Sequence, residues 1–133
     1  MFFQRLFSIA IFSSVLFPSC KPEEDVPPVE LAGKGGNGTL KVTPKHDSSE
    51  IDSCTIYIKY NSLGVATIYD DSVKVVQVNN SPVATFGGLK KGHYYLYGKG
   101  WDTSINEAVM GGLPYELQQE SAVSITLPVT EDH

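Results

Sequence analysis

The chain has 133 residues, 41% of them hydrophobic and 19% charged, and a formal net charge of −5. This balance is typical of one globular domain with short accessory segments, and it excludes collagen-like and highly charged disordered chains. Arg5 is the only arginine, so nine lysines oppose fifteen acidic residues in the rest of the chain. Such a surface cannot follow a phosphate backbone, and we expect no nucleic-acid partner.

The first residues have the layout of an export signal. Arg5 precedes an apolar run from Leu6 to Phe17, and Ser19 and Cys20 close that run. Its 12 residues fall well short of the roughly 20 that a helix needs to cross a bilayer. The sequence therefore predicts a signal peptide over residues 1–19 and no permanent transmembrane span.

Phe17-Pro18-Ser19-Cys20 resembles the lipobox of bacterial lipoproteins, in which a small residue precedes a cysteine that receives lipid. The resemblance implies lipidation of Cys20 and attachment to a membrane of the cell envelope through this N-terminal lipid. Each buried methylene contributes roughly 0.8 kcal/mol, and stable attachment takes more than one acyl chain, which a lipoprotein's modified cysteine supplies. The alternative is ordinary secretion with cleavage near Ser19.

Residues 20–37 are predicted to be the lipidated cysteine and a Pro/Gly-rich acidic tether. Lys21-Pro22-Glu23-Glu24-Asp25 resembles the tags that send some Gram-negative lipoproteins to the outer face of the outer membrane. We therefore expect an outer-membrane location, at the cell surface or on the periplasmic face. The alternative is that these charges belong to a plain solvated linker.

From residue 38 to residue 133 the apolar residues recur with a period of two, which is typical of strands with one buried face. Leu40 and Val42 predict a first strand that stops near Pro44. The second strand has Cys54, Ile56, Ile58 and Tyr60 on one face. Further strands are predicted near residues 72–78, 83–86, 93–97, 113–117 and 123–129.

Two connections complete the predicted fold. Asn79-Asn80-Ser81-Pro82 has the composition of a turn, so the third and fourth strands should form a hairpin. The segment from Trp101 to Gly112 is predicted to be a long irregular loop. Seven short strands predict an all-β, two-sheet antiparallel sandwich of Ig-like or prealbumin-like type.

The run from Phe86 to Leu96 resembles the Phe-x-x-Leu-x-x-Gly-x-Tyr-x-Leu turn and strand of carboxypeptidase-regulatory-like and transthyretin-like β-sandwich domains. Together with Cys54–Tyr60, it also looks like a group of small uncharacterised envelope lipoproteins that carry such domains. The resemblance implies the fold of residues 38–133. It does not assign a function, because these domains serve as spacers, binding modules and occasionally enzymes.

We predict no catalytic, metal or cofactor site. The three histidines, His46, His93 and His133, form no pair with metal-ligand spacing. Cys54 is the only thiol besides Cys20 and is expected to be a small buried hydrophobe. The alternative is a small-ligand or metal-dependent enzyme on a transthyretin-like scaffold, which would require His46 and His93 to converge with acidic side chains in one pocket.

A tyrosine patch is the candidate binding surface. Tyr57, Tyr95 and Tyr97 fall on the faces opposite their strands' core residues, so they meet if these strands share a sheet. The predicted binding residues are Tyr57, Tyr95, Tyr97 and Trp101, with Lys59 and Lys99 beside them. Exposed aromatic clusters often mark interaction sites, which predicts a non-catalytic module for a protein or glycan partner. Alternatively, the tyrosines simply cover the sheet.

Overall fold

A computed structural model describes residues 31–131. This part of the chain folds into β-strands packed as two sheets, without any helix, which confirms the predicted all-β sandwich. No helix within it is long and apolar enough to cross a membrane. The predicted signal peptide, Cys20, the acidic stretch Lys21–Asp25 and His133 lie outside the described residues.

Ten strands are present in residues 31–131. They are β1 (Lys34–His46), β2 (Ser49–Glu50), β3 (Ser53–Tyr60), β4 (Asp71–Lys74), β5 (Val76–Val78), β6 (Ser81–Leu89), β7 (Gly92–Asp102), β8 (Glu107–Leu117), β9 (Ala122–Pro128) and β10 (Thr130–Glu131). The β1 sheet has the order β9-β1-β6-β5, with β2 also paired to β1, and the β7 sheet has the order β10-β8-β7-β3-β4. Every pair is antiparallel except β1 with β9, which run parallel.

The number of strands exceeds the predicted seven partly because the chain crosses between the sheets inside two predicted strands. The predicted third strand divides at Val75 into β4 of the β7 sheet and β5 of the β1 sheet. The predicted last strand divides at Val129 into β9 and β10 in the same way. Both valines are buried, at 6% and 4% exposed, so each crossing point packs into the core.

The core lies between the two sheets and follows the predicted alternation. Cys54, Ile56 and Ile58 of β3 are buried, while the residues between them are half-buried on the outer face. In β9, Ile125 and Leu127 are buried and their neighbours are exposed. Fully burying an aliphatic side chain contributes roughly 1.5–3 kcal/mol, so these faces fix which side of each strand turns inward.

β1 extends beyond its predicted ends. The prediction that it stops near Pro44 is wrong, because the strand continues to His46 with Pro44 buried. Proline lacks an amide donor but keeps its carbonyl acceptor, and the Pro44 carbonyl accepts a hydrogen bond from the Ile51 amide at 3.0 Å. At the other end β1 begins at Lys34, so the last four residues of the predicted tether belong to the strand.

The predicted hairpin between the third and fourth strands is confirmed. β5 and β6 pair with only Asn79 and Asn80 between them, and both residues have positive φ, at 53° and 68°. Two consecutive positive φ values define the type I′ turn that matches the twist of a two-residue hairpin, and asparagine tolerates them well.

The predicted irregular loop from Trp101 to Gly112 is wrong. β7 and β8 form a regular hairpin whose pairing runs from Gly92 with Leu117 to Asp102 with Glu107. The glycines in these strands make room for neighbours instead of breaking the sheet. A Cβ on Gly98, for example, would lie 2.8 Å from Cδ2 of Leu127, and one on Gly111 would overlap the backbone of Pro128.

Candidate functional site

Three tyrosines gather on the outer face of the β7 sheet. Tyr57 of β3 and Tyr97 of β7 are direct cross-strand partners, with ring centroids 6.4 Å apart. Tyr69, from the loop between β3 and β4, stacks on Tyr97 at 5.9 Å with 19° between the ring planes, and its centroid is 5.5 Å from that of Tyr57. Aromatic pairs of this kind contribute about 0.5–1.5 kcal/mol each beyond the area they bury. We call these three residues the tyrosine cluster.

The sequence did not reveal Tyr69 because it lies in a loop, where no periodicity shows which way a side chain turns. The structure holds the end of this loop against β3. The Asp70 carboxylate accepts a hydrogen bond from the Tyr60 amide at 2.7 Å, and the Asp70 amide donates to the Ile58 carbonyl at 2.9 Å. These two bonds bring Tyr69 back over the sheet. The only hint of this position in the sequence is that Tyr69 directly precedes the acidic pair Asp70-Asp71, which could fix the end of a loop.

Tyr95 shares the outer face with the tyrosine cluster, but it is only 8% exposed, so its predicted role as an exposed contact residue needs correction. Its ring lies across Gly112 of β8, and a Cβ at that glycine would overlap the Tyr95 hydroxyl. Burial raises the pKa of this hydroxyl, and the proximity of Tyr69 and Tyr97 raises it further. Tyr95 therefore packs beneath the surface of the cluster.

Trp101 is on the same outer face but apart from the cluster. It is 42% exposed and lies near the opposite end of β7, paired with Ser53 and Ala108. Lys99 occupies the outward position between Trp101 and Tyr97. The predicted binding set thus divides into a pair that meets, Tyr57 with Tyr97, and a separate exposed tryptophan.

A shallow depression borders the cluster on the β4 side. Its lining residues are Tyr57, Thr67, Tyr69, Asp70, Asp71 and Ser72. Hydroxyl and carboxylate groups therefore stand beside aromatic rings. Lys59 lies at this edge, with Nζ 3.6 Å from Oδ1 of Asp70. Such a lining can accept hydrogen bonds from a ligand whose apolar face lies against a ring.

No protein-family model, curated protein or solved structure matches this chain. The tyrosine cluster and its neighbouring polar residues are therefore interpreted from their own chemistry. Within residues 31–131, these three rings are half-buried at one surface and in contact with one another.

The ring of His46 lies between two carboxylates from other strands, and it is not paired with His93. Its Nδ1 lies 2.8 Å from Oδ2 of Asp102, and its Nε2 contacts the Glu131 carboxylate. The hydrogen bond to Asp102 raises the pKa of His46, against an opposing effect of burial, and Glu131 and Asp47 raise it further. Hydrogen bonds from Ser104, then the one from His46, lower the pKa of Asp102. Both ring nitrogens are thus engaged by carboxylates.

His93 does not approach His46. It lies near the start of β7, whereas Asp102, the partner of His46, is the last residue of that strand. His93 and Asp102 are nine residue steps apart on this extended strand, which is about 30 Å. His93 faces Glu116 at 3.9 Å. In the part of the chain that the structure describes, no group of three or more His, Cys, Asp or Glu residues could hold a metal ion.

Cys54 is buried, as predicted. It is 2% exposed, and burial raises the pKa of its thiol to about 11. A thiolate is the reactive form of cysteine, so a thiol with so high a pKa is unreactive near neutral pH.

Proposed function

We propose that the protein is a cell-envelope lipoprotein, held in the outer membrane by lipid on Cys20, whose β-sandwich is a non-catalytic module that binds a glycan at the tyrosine cluster. The anchor is supported by the apolar run Leu6–Phe17 that ends at Cys20. A tether joins this cysteine to β1, which starts at Lys34. The module therefore lies within reach of the membrane without needing a transmembrane segment.

The observation that carries the binding proposal is the stack of Tyr69 on Tyr97. If the role of the tyrosines were only to cover the outer face of the sheet, the cross-strand pair Tyr57 and Tyr97 would do so without a third ring. The loop adds a third ring, and all three stay half-buried at a surface that faces solvent. Exposed aromatic surface that is held in place by the fold is typical of interaction sites.

A glycan is favoured over a protein partner by the polar lining beside the rings. Asp70, Asp71, Ser72 and Thr67 surround the depression. Sugars present hydroxyl groups around an apolar ring face, and this mixture of carboxylates, hydroxyls and aromatic rings can satisfy both. A protein that docks on the same face is the alternative and would share the requirement for Tyr57 and Tyr97.

The binding proposal is tested with the purified lipidated protein in detergent. It is screened against envelope and host polysaccharides, and any ligand is titrated by calorimetry. We expect Tyr57→Ser and Tyr97→Ser each to weaken binding tenfold or more, while Trp101→Ser, an exposed aromatic on the same sheet outside the cluster, leaves it unchanged. Equal losses in all three variants would contradict a site at the cluster. A captured protein whose binding depends on Tyr57 and Tyr97, without any glycan, would favour the alternative.

The anchor is tested by mass spectrometry of the mature N-terminal peptide and by protease shaving of intact cells. We expect an acyl mass on Cys20. A mature chain without that mass, cleaved near Ser19, would replace the anchor by ordinary secretion. Loss of the domain on shaving would place it at the cell surface, and protection until lysis would place it on the periplasmic face. A small-ligand or metal-dependent enzyme stays the alternative prediction, and it would need a site other than His46 with His93.

A further inference from the structure

A ten-residue loop, residues 61–70, carries large apolar side chains into solvent. It joins β3 to β4, and its Leu63, Val65 and Ile68 are 66%, 73% and 74% exposed. Single exposed apolar residues are common on protein surfaces, but three large ones in so short a segment form the kind of patch that marks a contact surface. We call residues 61–70 the apolar loop.

Internal hydrogen bonds hold this loop in its conformation. The Ser62 hydroxyl donates to the Gly64 carbonyl at 3.0 Å, and the Ala66 amide donates to the Tyr69 hydroxyl at 3.2 Å. Tyr69 itself packs onto Tyr97. The loop therefore packs its half-buried aromatic residue onto the sheet and leaves its aliphatic residues exposed, although exposure of aliphatic side chains does not favour folding stability.

The loop lies where the chain enters the domain. The side-chain carbonyl of Asn61, the first loop residue, accepts a hydrogen bond from the Ala32 amide at 2.8 Å. Leu31, the residue before Ala32, is 61% exposed and adds another apolar side chain at this end. Thirty residues, including the apolar run and Cys20, come before Leu31. The eleven residue steps from Cys20 to Leu31 can span at most about 40 Å when extended.

Charge at this end is also suited to a lipid surface. The turn that carries Lys90 and Lys91 is adjacent, because the Lys90 amide donates to the Gly33 carbonyl at 2.8 Å. Lysines beside exposed apolar side chains are the combination by which peripheral segments bind anionic headgroups. Carboxylates lie at this end as well: Asp70 faces Lys59, Glu116 faces His93, and Glu120 accepts a hydrogen bond from the Asn37 amide.

We propose that the apolar loop, together with Leu31, is a membrane-contacting surface that lies in the headgroup region of the bilayer in which the chain is anchored. The proposal rests on the proposed lipid anchor at Cys20. Contact at this end fixes the orientation of the domain. The far end of the sandwich, with His46 and the turn at residues 103–106, then points away from the bilayer, and the tyrosine cluster faces sideways.

The test uses the full lipidated chain in vesicles of phosphatidylethanolamine with a minority of phosphatidylglycerol, some lipids carrying a nitroxide quencher near the headgroup. Val65→Cys is labelled with an environment-sensitive fluorophore, because the native Cys54 is buried and does not compete. The matched control is Ile105→Cys, an exposed aliphatic position (41%) in the turn after β7. We expect a blue shift and at least twofold quenching at position 65 and neither at position 105.

The possible outcomes separate this inference from the anchor, because the acyl mass on Cys20 is measured on the same sample. An acylated chain that is no more quenched at position 65 than at position 105 overturns the membrane contact and leaves the anchor intact. A chain without acyl mass overturns the anchor; quenching at position 65 of a Cys20→Ser, Val65→Cys chain, in which no other accessible thiol carries the label, then keeps the contact. A blue shift without quenching shows that the loop contacts a second copy of the chain instead of lipid, and overturns the inference.

Discussion

Nδ1 of His46 and Oδ2 of Asp102 lie 2.8 Å apart and join the last residue of β1 to the last residue of β7. The two strands belong to different sheets. Nε2 of the same ring contacts Glu131 of β10. One imidazole thus connects the two sheets at the end of the sandwich that is remote from the N-terminal entry.

This arrangement predicts a pH-dependent contribution to stability. The folded-state pKa of His46 is raised above 6.5, so its stabilisation is complete below that pH and is lost as pH rises through the raised value. The pKa of Asp102 is lowered below 3.8, so its stabilisation is present above that pH and is lost only as pH falls further. We expect His46→Gln to lower Tm most between pH 3.8 and 6.5, and progressively less at alkaline pH.

Thermal unfolding followed by circular dichroism over a pH series measures this effect. The control is His93→Gln, because His93 is exposed and stands 3.9 Å from Glu116. It should change Tm little at any pH. A loss for His46→Gln that is the same at every pH would show that packing, and not protonation, explains the role of His46.

Removal of the Tyr94 hydroxyl should destabilise the domain. This buried hydroxyl donates to the Lys90 carbonyl at 2.6 Å and accepts from the Gly33 amide at 2.9 Å. Tyr94→Phe leaves both backbone groups without this partner, and we expect a loss of about 1–3 kcal/mol in the free energy of unfolding, measured with urea. Tyr115→Phe is the control, because Tyr115 pairs with Tyr94 across the strands and its hydroxyl has no hydrogen bond within residues 31–131. Equal losses would contradict the assignment.

Tyr95 should stay buried only because residue 112 is a glycine and has no Cβ to occupy the space of the tyrosine ring. A Cβ at Gly112 overlaps the Tyr95 ring, so Gly112→Ala should cost about 1–3 kcal/mol of unfolding free energy. In a Tyr95→Ser background the same substitution should cost much less, and a double-mutant cycle measures the difference. Gly64→Ala, with no atom within 4 Å of its Cβ, is the control. Strictly additive losses would refute the contact.

Alkylation tests the position of Cys54. With the thiol 2% exposed and its pKa at about 11, iodoacetamide should modify the native protein very slowly at pH 8 and the urea-unfolded protein at once. The labelled control is Val65→Cys, whose new thiol is exposed. Fast modification of Cys54 in the native protein would show that β3 opens readily.

Sequence reasoning succeeded where the determinants are local. The alternation in β9, with Ile125 and Leu127 inward, follows from strand geometry and one buried face. Asn79 and Asn80 form their turn with a backbone conformation that asparagine itself favours. The opposed positions of Tyr57 and Tyr97 followed from strand parity once the two strands shared a sheet.

It failed where a residue's role depends on a distant strand. Gly111 lies in the segment predicted to be a loop, whereas in the fold Gly98 makes room for Leu127 and Gly111 for Val129. Burial of Tyr95 depends on Gly112, on a neighbouring strand, and no local pattern encodes that contact. Tyr69 joined the cluster through loop hydrogen bonds that have no period in the sequence.

The parallel pairing of β1 with β9 has a consequence for the order in which the domain can fold. Leu40 is matched with Val123, so β1 is completed by a strand that follows it by about eighty residues. Folds dominated by such distant pairs form in milliseconds to seconds, because the connecting chain must first be ordered. If the proposed export threads this chain N-terminus first through a channel, β1 can pair with β6 but stays without β9 until that strand has crossed. Under the proposed export, this strand order would leave the β1 sheet incomplete until β9 has been translocated.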